Sequence, residues 1–216
     1  MTASGVTLKL ATSLDGRIAT STGESRWITG EAARLEVHRL RAACDAVVIG
    51  IETALADDPE LTVRLEGHEA PQPARVVLDT RQRLSPASRL ARTARDIPTY
   101  IVASGPADPA LVERGVRVLS LRGQGTRPEP AQVLDALRSE GLEHLFLEGG
   151  GQVAASFLAA GCVDRLVWFR APLILGARGR PALGDLPWDR LAEAPRFRRV
   201  SLAEFGPDLC ETYERT

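Results

Sequence analysis

The sequence predicts an α/β protein built on a mixed, mostly parallel sheet that is flanked by helices and ends in antiparallel strands. Strand-like runs alternate with helical patterns up to residue 160, which is typical of parallel β/α units. The run 45–51 is continuously apolar after Asp45, and the run 144–147 has the character of a buried strand, as expected of strands covered on both faces. After residue 160 strand patterns predominate. A chain of 216 residues can bury a substantial core, and we expect a single domain over residues 1–216.

The composition argues against several classes of protein. Its 27 basic residues nearly balance 28 acidic ones, so nothing indicates a nucleic acid or an anionic membrane as partner. No apolar run reaches the length of a membrane span, and the amino terminus lacks the apolar stretch of a signal peptide. The three cysteines and three histidines show no metal-ligand spacing, so we expect neither disulfides nor a metal site. We therefore expect a cytoplasmic protein.

The first predicted strand covers residues 6–12 and places Thr7, Lys9 and Ala11 on one face. Lys9 therefore lies mid-strand beside apolar neighbours, where a charge without a partner is costly. It is also the only lysine in the chain, because the other 26 basic residues are arginines. An amine offers a compact charge and a tunable pKa that a guanidinium lacks. Lys9 is thus a candidate functional residue, with chance survival of one lysine as the alternative.

A turn over residues 13–17 and a polar loop lead to the first helix. In this loop Ser25 and Trp27 could contact a ligand, although a loop tryptophan more often fills a core. Thr29 is predicted to cap the helix, and Glu31 is favourably placed in its first turn.

An apolar stripe through Val37 runs along this helix, while Arg41 lies on another face, where exposure to solvent is the ordinary interpretation. A buried strand at 45–51 follows. The next segment, 52–64, contains Thr53 and an Asp-Asp-Pro sequence that is common in turns.

The middle of the chain is predicted to continue the alternation of strands and helices. The predicted elements are strands at 75–80, 99–103 and 116–121, helices at 109–114 and 130–139, and a Gly- and Pro-rich linker at 122–129. Thr80 and Arg81 follow the end of a strand, where they could hold a phosphate or simply form a turn.

A strand, a glycine turn and a helix are predicted over residues 144–160. The strand ends in Glu148, and three glycines follow at 149–151. Such a turn exposes backbone N–H groups and the positive end of a helix dipole, which suits a phosphate or pyrophosphate. The spacing differs from the G-x-G-x-x-G fingerprint, so an ordinary turn remains an alternative. A carboxylate at the end of such a strand points into the usual ligand crevice of an α/β sheet.

The last part of the chain is predicted to contain a strand at 163–170, a glycine-rich loop after residue 171, and a closing hairpin with strands at 196–204 and 209–213. The sequence has no recognisable nucleophile elbow and no histidine placed as a general base, which argues against a hydrolase. A phosphate-binding turn, arginines near loops and a strand lysine favour a reductase, in which a cofactor carries the chemistry.

Four segments resemble the pyrimidine reductase of riboflavin biosynthesis, the reductase half of the bifunctional deaminase–reductase. They are KLATSLDGR at 9–17, GESRWIT at 23–29, LADDPELTVR at 55–64 and LEGGG at 147–151. The similarity covers nearly the whole chain in order. It implies a dihydrofolate-reductase-like fold, NADPH as the hydride donor, and a homodimer. The implied reaction reduces the ribosyl group of a 5-amino-6-(5-phosphoribosylamino)pyrimidine to ribityl, with hydride reaching C1′ of the sugar.

The resemblance also assigns roles to residues. The cofactor-binding positions are Ala11, Trp27, Thr53, Asp57, Thr80, Gly150, Gly151, Gln152, Val153, Ala154, Ala155 and Ser156. The substrate-binding positions are Ser25, Arg41, Leu61, Arg64 and Glu148. Lys9, Asp57 and Glu148 are the catalytic candidates, with Lys9 as a donor to the sugar hydroxyls or the open-chain imine and Asp57 as its polar partner. Arg41 and Arg64 would bind the substrate phosphate.

The family's deaminase half would carry zinc motifs of the H-x-E and P-C-x-x-C type, and neither occurs in this sequence. Either a separate deaminase acts first, or this protein reduces the undeaminated 2,5-diamino pyrimidinone. Two further interpretations stay open. One is a reductase of the same fold with another heterocyclic substrate. The other is a non-catalytic nucleotide-binding module, which would not need Lys9, Asp57 and Glu148 together.

Overall fold

The computed structural model describes residues 5–121 and 127–216, which form a nine-stranded sheet, a two-stranded sheet and six helices. The strands are β1 Gly5–Thr12, β2 Arg17–Ala19, β3 Ala46–Gly50, β4 Ala74–Leu78, β5 Thr99–Ala103, β6 Arg117–Ser120, β7 His144–Gly149, β8 Arg165–Arg170, β9 Arg180–Pro181, β10 Phe197–Phe205 and β11 Asp208–Arg215. The helices are α1 Glu31–Ala42, α2 Ile51–Asp57, α3 Arg89–Arg92, α4 Pro109–Glu113, α5 Pro130–Ser139 and α6 Gly151–Ala159. Within these described ranges, no helix has the length and apolar character needed to cross a membrane.

The large sheet has the strand order β10-β11-β8-β1-β7-β3-β4-β5-β6. The seven strands from β8 to β6 in this order are mutually parallel, whereas β11 runs antiparallel to β8 and β10 antiparallel to β11. The predicted α/β class and the antiparallel carboxyl-terminal strands are therefore confirmed. Because β1, β7, β3 and β4 are neighbours, their carboxyl ends meet at one edge of the sheet, where parallel sheets bind ligands.

Both faces of the sheet are covered, which explains the continuously apolar strands. On one face Val48 packs in a buried cluster with Leu137 of α5 and Phe157 of α6. On the other face Val47 packs with Leu111 of α4, and a third cluster lies beneath α1. Burying each such side chain stabilises the fold by about 1.5–3 kcal/mol.

The cap of helix α1 differs from the prediction. The N-cap residue is Gly30 rather than Thr29, so that prediction was wrong. The Gly30 N–H donates to Asp208 Oδ2 at 2.6 Å, and the Thr29 carbonyl accepts from Arg34 Nη1 at 3.0 Å. Asp208 is 1% exposed and begins β11. A carboxylate from the closing hairpin thus lies at the positive end of the α1 dipole, a contact between residues too distant in sequence to foresee.

Most predicted elements are present with small shifts at their ends, and β5 and α5 have the predicted bounds. The prediction missed α2, α3 and the β2–β9 pair, which contain between two and seven residues each. Elements this short contain too few residues to show a periodic pattern. The linker predicted at 122–129 falls largely on residues 122–126, which lie outside the described residues.

Candidate active site

A cavity of about 760 Å³ opens along the carboxyl edge of the parallel strands. It extends from the ends of β1 and β7, past β3, to the ends of β4 and β5. The predicted site residues that line it are Lys9, Ala11, Ser25, Thr53, Asp57, Thr80, Glu148, Gly150, Gly151, Gln152, Val153, Ala154 and Ser156. The structure therefore brings together most of the residues that the sequence analysis assigned to one site.

Lys9, Glu148 and Arg41 form a charged group at one end of this cavity. Leu8 of β1 pairs with Leu147 of the adjacent strand β7, and Lys9 and Glu148 are the next residues on these two strands. Arg41 of α1 donates from Nε to Glu148 Oε1, and from Nη2 to Oε2 at 3.0 Å. Its Nη1 donates to the Thr62 carbonyl at 2.9 Å. The Glu148 side chain is 7% exposed, so a two-pronged ion pair fixes a buried carboxylate beside the lysine.

Burial and charge shift the pKa values of this group. Burial lowers the pKa of Lys9; the Glu148 charge opposes this effect and the Arg41 charge adds to it. For Glu148, burial alone would raise the pKa, but the charge and hydrogen bonds of Arg41 outweigh it, and the pKa is lowered. Glu148 is therefore ionised at neutral pH, while Lys9 releases its proton more readily than an exposed lysine.

The glycine turn between β7 and α6 lies along the same cavity. Gly150 has a φ of +87°, and a Cβ there would lie 3.4 Å from Thr53 Oγ1. A Cβ on Gly151 would lie 3.1 Å from the Ala182 carbonyl oxygen. Side chains at these positions would strain the turn and occupy its surroundings. Helix α6 begins here without a side-chain cap, which leaves its amino end available to a phosphate.

Arginines line the other end of the cavity, beyond β4. Arg81 and Arg83 follow Thr80, and Arg127 joins them from the segment before α5. Arg83 also forms an ion pair with Glu52 of α2. The cavity is thus basic at the end farthest from Lys9.

Asp79, which the sequence analysis did not assign to the site, shapes this basic end. It lines the cavity, is 1% exposed, and accepts the Leu84 N–H on Oδ2 at 2.9 Å. Oδ1 has no hydrogen-bond partner among the described residues. Burial raises the pKa of this carboxyl. The bond to Leu84 holds the turn that carries Thr80 and Arg81.

The structure does not bring every predicted residue to the cavity wall. The predicted residues that do not line it are Trp27, Arg41, Leu61, Arg64 and Ala155. Trp27 is 67% exposed, with the Arg34 guanidinium 4.4 Å from its ring centroid. The Arg64 side chain is 65% exposed and lies 3.7 Å from Glu60. Leu61 is 5% exposed, and its side chain packs in the core.

Asp57 lines the cavity but does not have the predicted partner. Its carboxylate lies 3.7 Å from Arg26 Nη2 and is 46% exposed. The carboxylate whose charge raises the pKa of Lys9 is that of Glu148. The prediction failed because the sequence does not reveal that α2 ends beside the loop that carries Arg26.

Two cavity residues have no signal in the sequence. Arg180 comes from β9, which pairs with β2 in a sheet too small to predict. Arg127 lies within the predicted Gly- and Pro-rich linker. The chain after β9 then crosses the amino end of α6, where the Gly184 N–H donates to the Gly151 carbonyl at 2.8 Å.

Comparisons with known proteins identify a family for this chain. Residues 4–211 match the family model described as the RibD C-terminal domain. A 2,5-diamino-6-ribosylamino-4(3H)-pyrimidinone 5′-phosphate reductase of Methanothermobacter thermautotrophicus is 38% identical over 211 residues, which cover 96% of this chain and 96% of that protein. Other curated relatives, described as riboflavin biosynthesis protein RibD, are longer, and the chain spans 52–57% of their length.

Solved structures show the same relationship. RibD of Acinetobacter baumannii superposes with a TM-score of 0.84 and 30% identity, over 99% of this chain and 58% of that one. A dihydrofolate reductase of Enterococcus faecalis superposes with a TM-score of 0.51 and 15% identity, over 98% of this chain and 96% of that one. The predicted dihydrofolate-reductase-like fold is thus confirmed. Because the family model covers nearly the whole sequence, the chain belongs to the RibD C-terminal domain family.

Proposed function

We propose that the protein is an NADPH-dependent reductase of riboflavin biosynthesis. Its substrate would be 5-amino-6-(5-phosphoribosylamino)uracil or the 2,5-diamino pyrimidinone precursor, whose ribosyl group is reduced to ribityl. One observation carries this proposal: a single cavity joins the Lys9–Glu148 end to the glycine turn and the basic end. Such a cavity can hold a dinucleotide along its length and a small sugar phosphate at one end.

The residues of the cavity fit a pyridine dinucleotide. The turn at Gly150 leaves space that a Cβ would fill, and the amino end of α6 has no side-chain cap. Thr53 Oγ1 lies beside this turn and can donate to a phosphate oxygen. The cofactor, when bound, supplies the hydride that reaches C1′ of the sugar.

The basic end supports NADPH rather than NADH. An adenosine 2′-phosphate adds negative charge, and Thr80, Arg81, Arg83 and Arg127 offer a hydroxyl and three guanidinium groups there. NADH lacks this phosphate and would form no ionic contact with this basic end. Tighter binding of NADPH than of NADH would support this part of the proposal.

Lys9 is placed to act on the sugar. Opening the ribose ring breaks the C1′–O4′ bond and requires a proton at O4′, while the arriving hydride forms the new C1′–H bond. Lys9 has a proton of increased acidity beside the buried Glu148 carboxylate. We assign that proton transfer to Lys9, and to Glu148 the orientation of the sugar hydroxyls by accepting hydrogen bonds. Asp57, on the same wall, is a further acceptor.

Recognition of the 5′-phosphate falls chiefly to Arg64 and Ser25. The Arg64 side chain is exposed and forms a long ion pair with Glu60, so it is able to reorient toward a ligand. Ser25 lines the cavity directly. Arg41 already uses Nε, Nη1 and Nη2 in hydrogen bonds to Glu148 and Thr62. It retains two of its five N–H donors for a substrate.

A second candidate is a reductase of the same fold that acts on an unphosphorylated heterocycle. The observation in its favour is that neither Arg41 nor Arg64 lines the cavity. Against it stands the relative of similar length from Methanothermobacter thermautotrophicus, which is described as acting on a 5′-phosphate. A non-catalytic nucleotide-binding module would give no reason for the buried Lys9–Glu148–Arg41 group.

The remaining parts of the proposal concern partners. We propose that a separate deaminase serves the same pathway in the cytoplasm. In support, the relative from Methanothermobacter thermautotrophicus, which this chain matches over 96% of that protein's length, is described as a reductase. We also propose a homodimer. In support, β10 is an edge strand, and Leu202 within it is 54% exposed. The free edge of such a strand presents unpaired N–H and C=O groups with which another chain can pair.

The test is NADPH oxidation, followed by absorbance, with the deaminated and undeaminated phosphoribosylaminopyrimidines side by side. Turnover of either supports the proposal, and the preferred substrate reveals whether deamination comes first. Tight NADPH binding without turnover of either would favour the second candidate. Absence of NADPH binding would contradict both.

A further inference from the structure

Arg41 does not line the cavity, yet it determines the position of a residue that does. Its guanidinium donates one N–H to each oxygen of Glu148, and Nη1 donates to the Thr62 carbonyl. Leu61, directly before Thr62, has a φ of +57°, which is rare for leucine. An unfavourable backbone conformation is thus retained where it helps to fix Arg41.

We propose that Arg41 is a positioning residue of the reduction: it orients the Glu148 carboxylate and limits the pairing of that carboxylate with Lys9, so that Lys9 stays free to donate to the substrate. This inference rests on the proposed function. It differs from the phosphate contact that the family resemblance implies for Arg41, because it acts in the protein before any substrate binds.

The charged groups around Lys9 support this arrangement. The charged groups that shift the pKa of Lys9 are Glu148 of β7 and Arg41 of α1. Asp57 of α2 lines the same cavity but lies in an ion pair with Arg26. His38 of α1 interacts with the Arg41–Glu148 pair, and burial together with Arg41 and Arg64 lowers its pKa, so it is neutral at neutral pH. Glu148 and Arg41 therefore supply the fixed charges that Lys9 experiences.

Competition for Glu148 is the physical basis of the inference. A carboxylate has about four lone-pair positions, and Arg41 takes one on each oxygen. Without Arg41, both oxygens of Glu148 would be free to pair with Lys9. The N–H groups of the lysine would then donate to Glu148 in a buried ion pair rather than to the substrate. Lys9 would then hold its proton more tightly and become a weaker acid.

Lys9 can be observed directly, because it is the only lysine in the chain. Protein labelled with [ε-¹³C]lysine therefore gives a single lysine side-chain NMR signal, whose titration midpoint can be measured without ligand. We expect the midpoint to be highest in Arg41→Gln, lower in the unaltered protein, lower again in the double variant Arg41→Gln/Glu148→Gln, and lowest in Glu148→Gln. The two single variants should each differ from the unaltered protein by about one pH unit.

The second measurement is the pH profile of turnover. Arg41→Gln should lower kcat by about tenfold or more, move the basic limb of kcat to higher pH, and leave NADPH affinity within about twofold. A residue that only contacts the phosphate would raise KM for the phosphorylated substrate and leave kcat unchanged. That result would overturn the inference.

These measurements distinguish failure of the proposed function from failure of the role proposed for Arg41. If the lysine midpoints follow the expected order but the unaltered protein does not turn over either pyrimidine, the proposed function fails. If it turns over while Arg41→Gln and the unaltered protein share one midpoint, the role of Arg41 fails. If Arg41→Gln does not fold, the order of the lysine midpoints can still be tested with two other variants. These are Glu148→Gln and the double variant, in which no Glu148 carboxylate is left unpaired. Equal midpoints in those two variants would contradict it.

Discussion

Lys9 combines three properties at the scale of a single residue: it is half-buried, it lies on the cavity wall, and a buried carboxylate acts on it. The sequence identifies Lys9 through its uniqueness among 27 basic residues. It also identifies Glu148 through its place at the end of a strand. It cannot reveal that Arg41 holds Glu148, because side chains 107 residues apart meet only when α1 packs on the sheet.

Replacing Lys9 tests its role as proton donor. We expect Lys9→Ala to lower kcat by about 10²-fold and to leave NADPH affinity nearly unchanged, because the proposed dinucleotide site lies mainly on the glycine turn. Lys9→Arg is the control for charge, since a guanidinium remains charged but does not release its proton. If Lys9→Ala had the same kcat as the unaltered protein, Lys9 would have no role in the chemistry.

A substitution at Arg64 tests the proposed recognition of the substrate phosphate. Arg64→Ala should raise KM for the 5′-phosphorylated substrate by about tenfold, the effect of losing one charge-assisted contact, and should leave the dephosphorylated nucleoside unaffected. Arg190→Ala is a matched control, because Arg190 is likewise exposed and also forms one surface ion pair, with Glu193. Steady-state kinetics with both substrates distinguishes the outcomes. An equal KM change for both substrates would refute the assignment.

At the scale of elements, the β7–turn–α6 unit forms the proposed cofactor site. The sequence predicts this unit correctly, because a buried strand, three glycines and an apolar helix leave few alternatives. It does not predict α2, whose seven residues carry Thr53 and Asp57 to the same cavity. The failure has a physical cause: a two-turn helix is stabilised by tertiary packing rather than by its own pattern.

The glycine turn can be tested with two matched substitutions. Gly150→Ala and Gly141→Ala both place a side chain at positive φ, +87° and +80°, so both should lower the free energy of unfolding by about 1–2 kcal/mol. A Cβ at Gly141 has no neighbour within 4 Å, whereas one at Gly150 approaches Thr53. Only Gly150→Ala should weaken NADPH binding, by about tenfold or more, in a titration calorimeter. Equal affinities would place the pyrophosphate elsewhere.

At the scale of the whole molecule, the closing hairpin is tied to the first helix. Asp208→Ala should lower the free energy of unfolding by about 1–2 kcal/mol, because the Gly30 N–H loses its acceptor at the start of α1. Urea unfolding measures the change, with the exposed Asp189→Ala as control. No difference between these variants would show that the contact adds nothing to stability.

The sequence predicts the sheet class but not its strand order. β1 lies between β7 and β8, so the large sheet combines strands from both ends of the chain. Such long-range pairing depends on packing over the whole molecule and has no local signal. It supports the single-domain prediction, which stays a prediction.

The central claim is that this cavity delivers hydride from NADPH to C1′ of a phosphoribosylaminopyrimidine. The most direct measurement uses NADPH that carries deuterium at both C4 positions of the nicotinamide and locates the label in the product by mass spectrometry and NMR. We expect a ribityl product with one deuterium at C1′. Oxidation of the cofactor without deuterium at C1′, or no ribityl product at all, would contradict the claim.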